Sequence, residues 1–311
     1  MLHNAIADAL SHYGTLILDG ALATELEARG CDLADRLWSA KILLEQPELI
    51  YQVHYDYFAA GAHCAITASY QATPQGFAAR GINEAQSLAL IRQSVQLAQR
   101  ARDDYLARQS SAQPLLVAGS VGPYGAYLAD GAEYRGDYAL PEAEMMAFHR
   151  PRIQALAEAG ADLLACETLP SFAETQALVK LLAEFPALTA WFSFTLRDAR
   201  HISDGTPLTE VVALLNASAQ AVALGVNCVA LESVTPALQQ LQSLTRKPLV
   251  AYPNSGEIYD AQSKTWRPAT SGCTLHDRVA AWQQAGARLI GGCCRTTPQE
   301  IAALACDCQP Q

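Results

Sequence analysis

The sequence predicts an α/β fold, a single (β/α)8 barrel of the TIM type. Short runs of apolar and β-branched residues recur along the chain, helical patterns lie between them, and 311 residues suit one barrel. Runs that are almost continuously apolar are typical of parallel strands buried on both faces. We predict eight such strands, at 15–19, 64–70, 115–121, 162–168, 190–196, 221–228, 249–254 and 288–293.

The segments between these strands predict helices, most clearly at 47–60, 84–106, 141–159 and 171–184. Ser171 and Glu174 have the spacing of a capping box at the start of the last of these. An Ala-Gly-Ala or similar turn precedes three strands, where glycine suits the C-terminal cap of a helix. An open, doubly wound sheet is the alternative, but it rarely has so many evenly spaced units. No linker or change in composition divides the chain, so we expect one domain over residues 1–311.

Overall composition argues against several classes of function. The formal net charge is -10 and no basic run stands out, so nucleic acid and anionic membranes are poor partners. Residues 1–12 lack a signal-peptide pattern, and no apolar run approaches the ~20 residues of a membrane helix. We therefore expect a cytoplasmic protein. The nine cysteines are not spaced like a disulfide framework, which favours metal-binding or catalytic thiols.

Polar residues follow several of the predicted strands. Asp19 ends the first strand, Ser69 lies near the end of the second, Glu167 near the end of the fourth, and Asn227 near the end of the sixth. Taken singly, the carboxylate of Asp19 or of Glu167 is explained equally well as a helix cap. Because the carboxyl ends of all barrel strands open onto one face, the whole set predicts an active site there.

Sulfur-bearing residues at the same strand ends indicate a metal site. Cys228 ends the sixth strand, and Cys293 and Cys294 follow Gly291 and Gly292 at the eighth. Adjacent cysteines on a regular strand face opposite ways, but two glycines allow a bend that brings both sulfurs together. Three thiolates with an open fourth position are typical of catalytic zinc. We expect these three cysteines to be zinc ligands and catalytic residues.

The alternative is that the cysteines are small buried apolar residues. We assign that role to Cys31, Cys64 and Cys166. Cys306 and Cys308 lie in a polar C-terminal stretch and are expected to be bystanders. Cys273, in a predicted loop, stays open as a further ligand.

The chain also resembles a known family through five ordered motifs. They are D-G-A-L-A-T-E-L at 19–26, I-T-A-S-Y-Q at 66–71, A-C-E-T-L-P at 165–170, G-V-N-C at 225–228 and G-G-C-C-R-T-T-P at 291–298. Together they are similar to the motifs of the homocysteine S-methyltransferases. The resemblance implies a zinc enzyme that methylates the thiolate of homocysteine to form methionine. Because the sequence stops soon after the eighth strand, we expect the short type that uses S-methylmethionine or S-adenosylmethionine; a betaine-using enzyme is the alternative.

The resemblance further implies how the substrates are bound. Two carboxylates would hold the homocysteine ammonium, and backbone amides at 21–24, with a serine hydroxyl, would hold its carboxylate. An asparagine beside the metal ligands would support them or contact the donor. The expected substrate-binding residues are Asp19, Ala21, Ala23, Thr24, Ser69, Glu167 and Asn227. Partners are limited to these small molecules, and we expect a monomer or a weak homo-oligomer.

Two other functions compete with this one. An aldolase or lyase could use Glu167 as a base, but a Schiff-base mechanism needs a lysine at a strand end, and the chain has only Lys41, Lys180, Lys247 and Lys264. A zinc- or redox-sensing binding protein could use the adjacent cysteines, but it has no need of carboxylates across the barrel mouth.

The 122–140 segment is longer than most connections and follows the third strand. Its aromatic and acidic residues are Tyr124, Tyr127, Asp130, Glu133, Tyr134, Asp137 and Tyr138. It is either a solvated surface loop or a lid over the donor, because aromatic faces and carboxylates attract a sulfonium cation.

Overall fold

The computed structural model describes residues 2–33, 37, 39–109, 114–256, 258–260, 265–267 and 274–308, with the backbone alone at 258–260 and 265–267. Its strands are β1 Leu16–Ile17, β2 Cys64–Ile66, β3 Leu116–Val121, β4 Leu163–Leu169, β5 Ala190–Phe194, β6 Leu196–Asp198, β7 His201–Ile202, β8 Ala221–Asn227, β9 Leu249–Tyr252, β10 Ile258–Asp260, β11 Thr265–Arg267 and β12 Ala287–Ile290.

The helices are α1 Ala5–Tyr13, α2 Leu22–Ala28, α3 Ala40–Glu45, α4 Pro47–Ala59, α5 Pro74–Ala78, α6 Glu84–Leu106, α7 Tyr124–Leu128, α8 Glu142–Glu158, α9 Phe172–Leu182, α10 Leu208–Ala217, α11 Leu231–Leu244, α12 Val279–Gln284 and α13 Pro298–Asp307, with 3-10 turns at Ala132–Tyr134 and His276–Arg278. The four helices predicted most clearly all form, with ends within two residues of the expected ones. No described helix is both long and apolar enough to span a membrane.

Eight of the described strands form one parallel sheet in the order β1-β12-β9-β8-β5-β4-β3-β2. A parallel bridge between Leu18 and Cys64 joins β1 to β2 and closes the ring. This closure confirms the (β/α)8 barrel and excludes the open doubly wound sheet. The remaining strands form two antiparallel hairpins, β6 with β7 and β10 with β11.

The core has two layers, as expected for a barrel. Inside the ring, side chains such as Leu16, Leu163 and Leu289 pack with Trp191 and with the buried face of α1. Because Leu16 and Leu163 are the first residues of β1 and β4, α1 closes the end of the barrel opposite the carboxyl ends. Outside the ring, the apolar faces of the other helices pack on the sheet.

Several strands end earlier than the sequence predicts. β2 ends at Ile66 instead of residue 70, and β12 ends at Ile290 instead of residue 293. Isolated ladder bonds continue beyond these ends, from the Thr67 N–H to the Ala118 carbonyl and from the Gly291 N–H to the Ala251 carbonyl. The polar residues of the mouth therefore lie on turns just past the strands.

Gly291 and Gly292 serve a different purpose from the one predicted. Neither has a positive φ, so the bend does not require their conformational freedom. A Cβ on Gly291 would lie 2.6 Å from the Leu18 Cβ, and one on Gly292 would lie 2.3 Å from the Thr296 hydroxyl. Gly291 therefore allows close packing of the end of β12 against the end of β1, and Gly292 allows close packing against Thr296.

Candidate active site

The sulfurs of Cys228, Cys293 and Cys294 all lie within 4.8 Å of one another, and we call them the cysteine cluster. Cys228 and Cys293 are joined as a disulfide, and Cys294 Sγ lies 4.0 Å from Cys228 Sγ. Tetrahedral zinc with Zn–S bonds of about 2.3 Å holds its sulfur ligands about 3.8 Å apart. The reduced cluster therefore fits a metal with three thiolate ligands.

The backbone fixes the cluster on two strand ends. Cys228 has a φ of 50°, in the left-handed region, and its N–H donates to the Tyr252 carbonyl. The Cys293 N–H donates to the Pro253 carbonyl at 2.7 Å, and the Thr296 hydroxyl donates to the Cys293 carbonyl at 2.6 Å. A non-glycine residue at positive φ costs free energy, so the surrounding bonds hold the Cys228 sulfur in place.

Glu167 lies at the end of β4 with its carboxylate buried. Tyr252 donates to Oε2 at 3.0 Å, and Ser120 donates to Oε1. Burial raises the pKa of Glu167 to about 7, while the bonds from Ser120 and Tyr252 oppose that rise. Tyr252 in turn accepts from Trp191 Nε1 at 3.0 Å and lies 2.6 Å from the Ser193 hydroxyl, so its donor is directed at the carboxylate.

Asp19 lies past β1 and is also buried. Its Oδ2 accepts from the Ile66 N–H at 2.9 Å. Burial, followed by the charge of Glu167, raises its pKa well above the ordinary value. Asp19 and Glu167, which we call the acid pair, thus interact electrostatically across the mouth. Two carboxylates placed together in a dry site are stabilised by a cation between them.

Two of the expected carboxylate donors already have hydrogen-bond partners within the protein. The Ala21 N–H donates to the Thr296 hydroxyl at 3.1 Å and is therefore occupied. The hydroxyl of Ser69 is fully buried and donates to the Ser120 carbonyl at 2.7 Å, so it braces two strand ends. Ala23 is buried in the first turn of α2, and Thr24 Oγ1 accepts from the Arg295 N–H at 3.1 Å.

Asn227 contacts the acid pair indirectly. Its Oδ1 accepts from the Thr168 N–H at 2.8 Å, and its Nδ2 donates to the Thr168 hydroxyl at 2.8 Å. Thr168 follows Glu167 and has a φ of 59°. The asparagine amide therefore holds a left-handed residue beside Glu167.

The 122–140 segment packs on the barrel through part of its length, while Asp130, Arg135 and Asp137 are exposed. Tyr124 and Tyr127 pack on each other and on Phe148. The carboxylate of Glu174 accepts from the Tyr124 N–H at 2.7 Å and from the Tyr138 hydroxyl. The Ser171 side chain caps α9, as predicted, but Glu174 does not complete the box, since its carboxylate binds this segment instead.

A buried network continues from Glu174 to the barrel. His149 Nε2 lies 2.7 Å from Glu174 Oε1, and Arg152 Nη2 lies 2.9 Å from His149 Nδ1. Arg152 donates to the carbonyls of Tyr70 and Gly122, each at 2.6 Å. The network thus joins the ends of β2 and β3 to the 122–140 segment.

Sequence reasoning missed Ser120 and Tyr252, which donate to Glu167, and Ser193, which contacts the Tyr252 hydroxyl. Each residue carries a hydroxyl within an otherwise apolar strand, and this pattern was the signal that could have identified them. Cys31, Cys64 and Cys166 are buried and free, as expected, while Cys306 lies in α13 and Cys308 is the C-terminal cap of that helix. Cys273 lies outside the described residues.

A model of the homocysteine S-methyltransferase family matches residues 16–308. The chain belongs to the homocysteine S-methyltransferase family. A homocysteine S-methyltransferase of Escherichia coli K12 is 65% identical over 303 residues, which cover 97% of this chain and 98% of that protein. Crystal structures of the homocysteine methyltransferase MmuM from Escherichia coli, at 62% identity, cover 98% of this chain and 100% of theirs. Their TM-scores are 0.90 for the metallated form and 0.91 for the oxidised form.

As a homocysteine S-methyltransferase, the chain is an enzyme that transfers a methyl group to homocysteine, which confirms the predicted family and activity. Its substrates are small molecules. The metallated form of the relative and the cysteine cluster together indicate a metal in this homocysteine S-methyltransferase. A barrel lyase and a sensor protein are thereby excluded as its principal function.

Proposed function

We propose that the enzyme uses zinc and a sulfonium donor, S-methylmethionine or S-adenosylmethionine, to convert homocysteine into methionine. The observation that carries this proposal is the convergence of three cysteine sulfurs beside a buried acid pair. The substrates would be its only partners. We propose a cytoplasmic, monomeric or weakly associating enzyme that binds neither nucleic acid nor membrane.

Ligand chemistry supports zinc. Three thiolates with no imidazole or carboxylate among them suit a soft or borderline ion. Burial, with smaller contributions from the charges of Glu133 and Glu167, raises the pKa of the Cys294 thiol to about 12. The cluster therefore needs a cation to hold its thiolates at neutral pH. A bound zinc ion would act as a Lewis acid that lowers the pKa of a coordinated substrate thiol.

The acid pair would bind the ammonium of homocysteine. Asp19 and Glu167 are buried, negatively charged at neutral pH once a cation lies between them, and fixed by hydrogen bonds. The amides of Ala23 and Thr24 lie in the first turn of α2, where N–H groups have no intrahelical acceptor, and would bind the substrate carboxylate. Asn227 would keep Glu167 in position through Thr168.

Methyl transfer then depends mainly on the alignment of the two substrates and less on proton transfer. The homocysteine thiol would release its proton to solvent on binding at the cysteine cluster, and its sulfur would attack the methyl carbon of the sulfonium in line. The new S–C bond takes its electron pair from the thiolate, and the old S–C pair returns to the donor sulfur. The donor leaves as a neutral thioether, so no general acid is needed. The residues of the mouth contribute by holding both sulfurs in a reactive geometry.

The test combines metal analysis with a donor panel. The purified enzyme should contain one zinc per chain and should form methionine from homocysteine with S-methylmethionine or S-adenosylmethionine faster than with betaine. Cys228→Ser, Cys293→Ser and Cys294→Ser should each lose metal and activity, whereas Cys306→Ser, at an exposed position, should lose neither. Full zinc occupancy in all three cluster variants, or a preference for betaine, would contradict the proposal.

A further inference from the structure

Glu133 lies in the 3-10 turn Ala132–Tyr134 of the 122–140 segment. The turn is held in place from both sides. Thr195 donates to the Glu133 carbonyl at 3.0 Å, and the Tyr138 hydroxyl is bound by Glu174. A Cβ on Gly125 would lie 2.7 Å from the Glu133 backbone nitrogen, so α7 packs directly against the turn. Glu133 therefore has a fixed position.

The charge of Arg135 acts on the Glu133 carboxylate, but among the described residues the ion pairs of Arg135 are with Asp130 and Asp137. Glu133 Oε2 is buried and has no hydrogen-bond partner among the described residues. It lies close enough to Cys294 and Tyr70 for its charge to act on both. Arg135, the nearby cation, instead donates to Asp137 at 2.8 Å and to the Asp130 carbonyl at 2.9 Å.

A buried carboxylate with an unpartnered oxygen is unfavourable unless a ligand completes it. Burial raises the pKa of Glu133, as it does for the acid pair. Three features at this position point to a cationic ligand. They are the fixed turn, the open carboxylate oxygen, and the proximity to the cysteine cluster, where the methyl group must arrive.

We propose that Glu133 is the counter-ion that binds the sulfonium of the methyl donor. The inference rests on the proposed function, in which the homocysteine sulfur is held at the cysteine cluster. The methyl carbon must then approach that sulfur to about 3 to 3.5 Å, which places the sulfonium at the mouth beside Glu133. The aromatic side chains of Tyr124 and Tyr127, by contrast, are engaged with Phe148 and shape the segment that carries Glu133.

This role has a specific kinetic signature. The positive charge on the donor sulfur disappears as the methyl group is transferred, so an anion beside it stabilises the bound donor more than the transition state. Interactions of that kind lower KM without raising kcat. A residue that only positions the segment would instead affect kcat, because misalignment slows the transfer itself.

The test is steady-state kinetics of Glu133→Gln with the zinc enzyme. At saturating homocysteine, the KM for S-methylmethionine should rise about 10- to 100-fold, as expected for loss of a charged partner, with kcat unchanged or higher. The KM for homocysteine should stay within about twofold of that of the unmodified enzyme. Glu144→Gln is the matched control, since Glu144 is an exposed acid in the first turn of the following helix, α8. It should change neither constant.

A neutral competitor distinguishes recognition of the donor's charge from recognition of its shape. S-Ethylhomocysteine is a thioether without the sulfonium charge, and its inhibition constant against S-methylmethionine should be the same for Glu133→Gln as for the unmodified enzyme. Glu133→Asp keeps the charge and should recover most of the loss. Unchanged donor KM in Glu133→Gln, equal weakening of the neutral competitor, or a rise confined to the homocysteine KM would overturn the inference. Failure of the unmodified enzyme to form methionine would refute the proposed function itself.

Discussion

Substitution of Tyr252 by phenylalanine tests the acid pair. The Tyr252 hydroxyl donates to the buried Glu167 carboxylate at 3.0 Å, and this bond opposes the rise of its pKa. A hydrogen bond to a charged group contributes about 1.5 to 3 kcal/mol, which is about 1 to 2 pKa units. Tyr252→Phe should therefore move the pKa of Glu167 from about 7 to roughly 8 or 9.

The assay is the pH profile of kcat/KM for homocysteine, which reports on groups of the free enzyme. Protonated Glu167 cannot pair with the substrate ammonium, so kcat/KM falls as pH drops through its pKa. A higher pKa moves this acid limb to higher pH, and at pH of about 7.5 the rate should be about threefold to 25-fold lower.

Ser193→Ala is the control, because Ser193 contacts the Tyr252 hydroxyl but not Glu167. It should shift the profile much less than Tyr252→Phe. An acid limb in the same place for Tyr252→Phe and the unmodified enzyme would refute the reasoning. A uniform loss at every pH would do the same, because that result would indicate damage to the fold and no change in a pKa.

Two further predictions concern buried polar groups. Glu174→Gln removes the charge that holds the Tyr138 hydroxyl and faces Arg152. In thermal unfolding it should lower stability by about 3 kcal/mol or more. In steady-state kinetics it should raise the donor KM more than the homocysteine KM. His54 has a pKa of about 4 instead of 6.5 because it is buried, so the unfolded chain binds its proton first, and stability falls by about 3 kcal/mol as pH drops from about 6.5 to about 4. His54→Leu should remove that loss in urea unfolding, whereas His12→Gln, at an exposed position, should not; equal pH dependence in all three proteins would contradict this.

The fold was predictable because its signals are local. Apolar runs identify buried strands, and helix periodicity identifies α6 to the residue. Strand ends were less predictable, since hydrogen bonding past Ile66 and Ile290 depends on neighbouring strands that are distant in sequence. Gly61, Gly160 and Gly286, in the three predicted turns, all have positive φ, as a helix C-terminal cap requires.

The site was predictable only in part. The cysteine cluster and the acid pair follow from one rule, that barrel strands open onto a common face. The partners of these groups do not follow from that rule. Whether Tyr252 points inward to Glu167, or whether the Ala21 amide is already taken by Thr296, depends on contacts between segments far apart in the chain. Glu133 was one acid among several until the structure showed Arg135 engaged elsewhere.

The charges at the mouth also bear on the choice of donor. Among the described residues, the cysteine cluster, the acid pair and Glu133 are all acidic groups, and the buried Arg152 donates to backbone carbonyls and a histidine. A metal and the homocysteine ammonium offset part of this charge. Betaine carries a carboxylate that cancels its cation, whereas a sulfonium amino acid keeps a net positive charge when its ammonium and carboxylate are both ionised. An acidic mouth therefore attracts the sulfonium donors over betaine by charge alone, before any contact with the pocket is made.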